Sequence, residues 1–545
     1  MNTSTSASVR RSDLDALRAG AMLLGIALHA ALSFFPAFWV VSDSRQEPAF
    51  GVLVAAIHGF RMPLFFMMSG YFSAMLLARR GLGGLFRQRF RRVFLPLLLG
   101  MVTVVPATTL ISGYVMSAGK SSSTETAQPK SDLWAAADAG DLSAIKRHLA
   151  SGTAVDARDE RGITPLLWAA LADQPEAAEL LLERGAAINA AAGDGATPLH
   201  AAAFLGNEKT VEALVRSGAN INATNLRGQT PLDNATVNEG TTKYYASLLG
   251  LKLNEEGLGA RKERIAEFLR QQGATAGAQS GVMDLLMQMP LFNHLWFLWF
   301  LWWLVIGFVA VSFLAARLPS IRLPKSLVLS PARYLWLVPL TMLPQAFMQG
   351  GTFGPDTSAG LLPIPHVLAY YAIFFGFGAI YFAHEGSSDA VGKHWRWQLA
   401  LGLLVAFPLG FALSLGWSGP AGYELDSHTR WQLGLLLQSA YPWLMTFGLM
   451  GLFWRYCPGE SPAIRYLSDS AYWLYLAHLP LIIVVQYLVR DWPLPAPVKF
   501  FLIVVSVTGF LLWTYQTLVR YRWLGRLLNG PRERPGPQAM AVVTE

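Results

Sequence analysis

The chain has 545 residues, 53% of them hydrophobic, 12% aromatic and only 14% charged, and this excludes disordered and collagen-like classes. A single cysteine, Cys457, excludes an internal disulfide scaffold. The 43 Lys+Arg against 35 Asp+Glu give +8, which in so apolar a chain marks cytoplasmic loops of a membrane protein and not a nucleic-acid partner.

Arg10 and Arg11 precede an apolar run from about Gly20 to Val41 with no small-residue cleavage site before Ser42, so this reads as an uncleaved first span. Further apolar runs lie near 52–78, 93–115, 291–315, 334–352, 363–382, 397–415, 431–453, 471–489 and 500–519. A bilayer needs roughly 20 helical residues per crossing, so about ten transmembrane helices are expected. The fifth run carries Pro339 and Pro344 and stops at Gly350 and Gly351, which leaves open whether it crosses fully.

Charge tests that number. With the N-terminus inside, ten spans put 22 Lys+Arg on the inner side and leave four, Arg45, Arg430, Arg490 and Lys499, on short outer loops. Without the fifth span the C-terminal arginines from Arg520 to Arg534 would lie outside, against the rule. Both termini are therefore expected in the cytoplasm.

Between the third and fourth spans lies a hydrophilic stretch of another character, 118–289, opened by "SAGKSSSTETAQPKS". Thr-Pro-Leu begins at Thr164, Thr197 and Thr230, a spacing of 33, and Gly152, Gly185 and Gly218 recur with the same period. That is the ankyrin period. A degenerate first repeat starts near Ser131, and about 22 residues around "NEGTTKYYASLLGLKLNEEGLG" interrupt the last before "IAEFLRQQGA" closes it. With 16 Lys+Arg against 21 Asp+Glu the stretch is mildly acidic, and parity places it outside. His200, in the Thr-Pro-Leu-His turn, is expected to hydrogen-bond between adjacent repeats.

The expected fold is therefore all-α: a polytopic membrane helix bundle with an inserted ankyrin-repeat solenoid. Its expected parts are 12–117 (spans one to three), 128–276 (repeats), 290–528 (spans four to ten) and a disordered tail, 529–545. Besides the lipid bilayer, a protein partner on the concave face of the repeats is expected.

Ionisable groups inside spans are functional candidates because burying them in lipid is costly. In "DLDALRAGAMLLGIALHAALSFF", Arg18 and His29 are eleven residues apart, about 16 Å along a helix. In "IHGFRMPLFFMMSGYF", His58 and Arg61 share one helix face, so His29, His58 and Arg61 could converge. A neutral imidazole there suits removal of a proton from an alcohol. His294, before "LWFLWFLWW", and His478, in "SDSAYWLYLAHLPL", are evenly balanced between structural and functional roles; His366, at a span end, reads as interfacial. The loop "RRGLGGLFRQRFRRVFLP" packs six arginines into fourteen residues, as an anchor or as a phosphate-binding lip. No P-loop, dinucleotide fingerprint, zinc motif or paired-cysteine motif occurs, and no metal is expected.

These motifs resemble the integral-membrane acyltransferase family 3, in which Arg/Lys-x10-His is matched by Arg18 to His29, and Arg-x-x-Arg followed by Pro by Arg89, Arg92 and Pro96. "LRAGAMLLGIALH", "HGFRMPLFFMMSGYFSAMLLAR", "NHLWFL" and "YLAHLPL" are similar to its glucan-biosynthesis branch, over about 12–117 and 290–528. The repeats stand where that family has a short loop.

The resemblance implies a bacterial inner-membrane enzyme that moves an acyl group, succinyl or acetyl, from cytosolic acyl-CoA, its cosubstrate, to hydroxyls of a periplasmic or cell-envelope glycan acceptor. It casts His29 as general base or relay, Arg18 as orienting the donor, His58 and Arg61 as holding the thioester or the developing oxyanion, and Arg89 and Arg92 as binding the CoA phosphates. A polytopic glycan transporter or flippase, and a non-enzymatic ankyrin scaffold, are the alternatives.

Overall fold

A computed structural model describes residues 11–530 apart from 36–38, 123–131, 160–161, 226–227, 249–250, 252, 278–285, 288–290, 318, 320–322, 349–352, 385–391, 418 and 420–424. Arg10, most of the linker and residues 531–545 of the expected tail lie outside the described residues. The chain divides into two compact units, Met1–Val115 with Leu285–Glu545, and Met116–Asp284.

Helix α1 (Ser12–Ala31) tightens into a 3-10 turn, Leu32–Phe34. It starts ahead of the apolar run because Asp13 and Asp15 in its first turn face the positive end of the helix dipole. It stops short of Val41 because Phe35 turns extended ahead of Pro36, as a residue before proline must. Helix α2 (Ala49–Arg89) passes through a π-helical turn, Phe90–Phe94, into α3 (Leu95–Ser122). Gly81, at φ 65°, breaks this stretch in the left-handed region that glycine tolerates, so the run Ala49–Val115 holds both the second and third expected spans.

The second unit contains α4 (Leu133–Ala139), α5 (Leu142–Ala150), α6 (Pro165–Leu171), α7 (Pro175–Glu183), α8 (Pro198–Leu205), α9 (Glu208–Arg216), α10 (Pro231–Thr236), α11 (Glu239–Leu248) and α12 (Leu258–Gln271). Thr164, Thr197 and Thr230 are N-caps followed by proline at the first helical position, where the missing N–H costs nothing. The core alternates alanine with larger aliphatics, from Leu133 and Ala137 to Ala203, Leu214 and Leu269, so each helix pair buries its apolar face on the next. His200 joins repeats as expected. Its Nδ1 accepts from the Thr197 amide at 3.2 Å and its Nε2–H donates to the Gln229 carbonyl at 2.9 Å. Burial holds the His200 pKa below the ordinary imidazole value. Among the described residues of the whole chain there is no strand.

The first unit resumes with α13 (Trp296–Ala315), α14 (Lys325–Leu329), α15 (Tyr334–Gln345), α16 (Pro365–Ala383), α17 (Trp395–Leu401), α18 (Phe407–Ser414), α19 (Ser427–Tyr456), α20 (Pro462–Val489), α21 (Ala496–Thr514) and α22 (Trp523–Asn529). Among the described residues eight helical stretches are long and apolar enough to cross a membrane, and the break at Gly81 divides one of them in two. Leu335, Val102, Leu110 and Leu404 are at least three-quarters exposed, a surface suited to hydrocarbon. The protein is a multi-pass membrane protein.

The fifth expected span corresponds to α15, with 12 residues. That is about 18 Å at 1.5 Å per residue, short of a ~30 Å hydrocarbon core. Its direction nonetheless carries the chain from one end of the bundle toward the other. Tyr334 packs on Phe447, Trp443 Nε1 donates to Thr341 Oγ1 at 2.9 Å, and the carbonyl and amide of Gly354 bond Gln345 and Gln438 respectively, so α15 runs antiparallel to α19. Helix α20 runs parallel to α1, Ser468 lying beside Arg18 and His478 beside His29. Helix α16 likewise runs parallel to α2, Tyr371 on Phe66 and Phe382 on Tyr71. These directions fit ten passages of the chain and do not fit nine.

Candidate functional site

The parallel packing of α1 and α20 is what builds the site. His29 Nδ1 lies 2.9 Å from the Gly25 carbonyl and 3.1 Å from His478 Nε2, and the two rings are 4.9 Å apart. His478 Nδ1 lies 2.8 Å from the Tyr475 carbonyl. A carbonyl only accepts, so both Nδ1 atoms carry the protons, and His478 Nε2 receives a share of the His29 Nδ1–H. His29 Nε2 then holds a lone pair, with no protein partner among the described contacts, on a ring that is partly exposed. His478 lies 16 residues into the 28-residue α20, about 24 Å from its start, so the imidazole pair is deep in the bundle.

Other groups hold this pair. His294, in a 3-10 turn before α13, has its ring 5.4 Å from His478, and its Nε2–H donates to the Leu476 carbonyl at 3.2 Å. Its Nδ1 is buried without a partner. Tyr475 O–H donates to the His294 carbonyl at 2.7 Å. Gln486 Nε2 donates to the carbonyls of His29 and Ala30, and its oxygen accepts from Trp39 Nε1 at 2.8 Å, which brings the Trp39 ring to 6.1 Å from His29.

Helix α2 adds the cation. Arg61 is so close to α1 that a Cβ on Gly25 would overlap its Nη1, and Gly25 lies one turn before His29. Arg61 has no ion pair or hydrogen bond among the described contacts, and its Nε is buried without a partner. It lies within electrostatic reach of His29, His58, His478, Tyr371 and Tyr475. His58, one turn away, donates Nε2–H to the Pro355 carbonyl at 2.9 Å. An unpaired guanidinium beside a free imidazole lone pair, in a low-dielectric site, suits a reaction in which an alcohol loses a proton and a carbonyl oxygen becomes negative.

Arg18 is elsewhere. It bonds Asp15, the Ser468 hydroxyl and, at 3.1 Å, the Ser468 carbonyl, near the opposite end of α1. Arg89 lies within electrostatic reach of Tyr472, one turn along α20 from Ser468, and Arg92 packs against Gly530. Arg18, Arg89 and Arg92 thus share one end of the bundle, while His29, His58, Arg61, His294 and His478 converge deeper. His366 is at the start of α16, against Phe347. Among the described residues no His/Cys/Asp/Glu group is arranged to hold a metal.

Sequence reasoning missed Tyr475, Gln486 and Trp39. Tyr475 stands three residues before His478, on the same helix face, and Gln486 is the one polar residue in "LIIVVQYLV"; both were visible signals. Nothing local pointed to Trp39.

A family model for acyltransferase domains matches residues 11–126 and 268–516, which include every helix of this site. The chain belongs to that acyltransferase family. The acyltransferase is interrupted by ankyrin repeats, matched in three copies over 133–225. It is similar to the glucans biosynthesis protein C of Escherichia coli strain SMS-3-5 and to that of strain K12, each 39% identical over 97 residues. Those residues are 18% of this chain and span about a quarter, 24%, of each relative.

Proposed function

We propose that this acyltransferase moves an acyl group, succinyl or acetyl, from cytosolic acyl-CoA to a hydroxyl of a periplasmic or cell-envelope glycan in the bacterial inner membrane. The observation that carries the reading is the free Nε2 of His29 beside the unpaired Arg61. His29 takes the proton of the acceptor hydroxyl as that oxygen attacks the thioester carbonyl carbon. The carbon–sulfur bond then breaks, and the leaving sulfur takes the proton from the His29 imidazolium to depart as the thiol. Arg61, with His58 one turn away, faces the oxyanion that forms in between.

His478 plays the positioning part. By accepting from Nδ1–H it fixes the tautomer that leaves Nε2 basic, and it stabilises the imidazolium that forms on proton transfer. Arg18, Arg89 and Arg92, at the other end, suit a phosphate-bearing donor, since guanidinium forks pair with phosphate oxygens. Donor and acceptor then approach the imidazole from opposite ends. Positive-inside counting puts the arginine end and both termini in the cytoplasm and the repeats in the periplasm. The repeats, which lack a catalytic constellation, recruit a protein partner or gate the acceptor.

Mass spectrometry of envelope glycans from cells with and without the gene tests the reading. One ester-sized mass difference that depends on His29 is expected. Glycans identical in mass, with the protein present in the membrane, would remove the proposed activity.

A further inference from the structure

A cavity of about 390 Å³ opens between α15, α18, α19 and the loop that ends α15, in the end of the bundle opposite the arginines. Its wall includes Gln345, Gly354, Arg430, Trp431 and Gln438. None of these belongs to the histidine cluster, yet Gly354 touches it: a Cβ there would meet His58 Cδ2 at 3.0 Å, and His58 donates to the next residue, Pro355. The backbone around Gly354 therefore has the cavity on one side and His58 on the other.

The wall has the composition that sugar recognition needs. Trp431 is 52% exposed and offers a flat apolar face for the C–H face of a pyranose. Gln438 Oε1 accepts from the Gly354 amide at 3.2 Å, and Gln345 Nε2 donates to the Gly354 carbonyl at 3.4 Å. Gln345 is only 7% exposed, and its Oε1 is buried without a partner. An orphan acceptor in the wall of a cavity calls for a donor from a ligand, such as a hydroxyl. Arg430, bonded to the Gly416 carbonyl at 3.3 Å, supplies further donors. A bulk lipid tail would leave Gln345 Oε1 and the further Arg430 donors unsatisfied.

We propose that this cavity is a subsite for one sugar residue of a polymeric acceptor, remote from the residue that is acylated and separated from it by the Gly354–Pro355 backbone. This rests on the glycan-acylating reading above. A polymer can occupy the subsite while presenting a hydroxyl at His29; a free monosaccharide cannot do both.

The test compares wild type with Trp431→Ala, Trp431→Phe and Gln345→Leu, using a short linear glucan oligosaccharide and glucose as acceptors, and measures both acyl transfer and oligosaccharide binding by calorimetry. The expected result is about a tenfold rise in KM for the oligosaccharide in Trp431→Ala and Gln345→Leu, with kcat and glucose acylation unchanged and Trp431→Phe near wild type. Equal loss with both acceptors, or a lower melting temperature with unchanged KM, overturns the subsite and makes Trp431 an anchor at the membrane interface. Oligosaccharide binding that depends on Trp431 without any transfer upholds the subsite and overturns the acylation reading. Wild-type protein that neither binds nor acylates the oligosaccharide overturns both.

Discussion

His478 Nε2 stands 3.1 Å from His29 Nδ1, across two helices whose partners here are 449 residues apart in sequence. The contact decides which nitrogen of His29 is free. It also gives His478 a role that a substitution can separate from the role of His29. His478→Gln is expected to lower kcat by about tenfold to a hundredfold and to shift the pH–rate profile, while donor KM stays constant. Stopped assays across pH check this; an unchanged profile would make the contact merely structural.

Gly25 is predicted to be intolerant for a reason local to Arg61. A methyl group at Gly25 would occupy the space of the Arg61 Nη1. Gly25→Ala is therefore expected to lower kcat/KM by about 10²-fold, the usual effect of displacing one oxyanion donor. Arg61→Lys, which lacks that terminal nitrogen, should recover part of the loss in the double variant. Initial rates of the two single variants and the double variant settle the coupling.

Much of this site was legible, and the limits follow from what a sequence encodes. The eleven-position step from Arg18 to His29 implies about 16 Å, and the structure keeps them apart accordingly. The three-position step from His58 to Arg61 implies one face, which they share. The 33-residue period displayed the repeats because each must stack on its neighbour. Charge counting and helix direction agree on ten passages, although α15 is too short and proline-rich to be recognised as a crossing by length. Helix adjacency was not legible. His294 and His478 were balanced between roles because nothing local says that α20 lies parallel to α1.

The arginine end makes a separable prediction. Replacing Arg89 and Arg92 by Gln is expected to raise donor KM about tenfold, with little change in kcat for saturating acyl-CoA. Rates measured at varied acyl-CoA concentration test this, and an unchanged donor KM would return these arginines to anchoring.

Near the site, Lys499 Nζ donates to Asp43 Oδ1 at 2.7 Å, and both side chains are buried. This pair holds the loop that carries Trp39 toward His29. Lys499→Met leaves Asp43 charged without its cation, with only the Arg45 amide still donating to it among the described contacts, an expected loss of about 3–5 kcal/mol. Asp43→Asn with Lys499→Met should recover most of it. Thermal unfolding in detergent measures the difference, and equal stability of the single and double variants would contradict the account.

The repeats carry a pH prediction. Burial lowers the His200 pKa, and the folded form uses a neutral ring that accepts from Thr197 and donates to Gln229. Above the unfolded value, about 6.5, neither state is protonated and the full stability is present. As pH falls below 6.5 the unfolded chain binds a proton that the folded ring resists, so stability declines until the folded pKa is passed. The urea midpoint of repeat peptides, read by pulse-labelling mass spectrometry on the full chain, should fall from pH 7 to pH 5. His200→Asn should reduce that slope; an unaltered slope would assign it to another group.

The most direct measurement is acyl transfer by purified His29→Gln in proteoliposomes, from radiolabelled acyl-CoA to a glucan, beside wild type. A loss of about 10²- to 10⁴-fold with an unchanged melting temperature is predicted for removal of a general base. Transfer at the wild-type rate would contradict it and leave the paired histidines as packing alone.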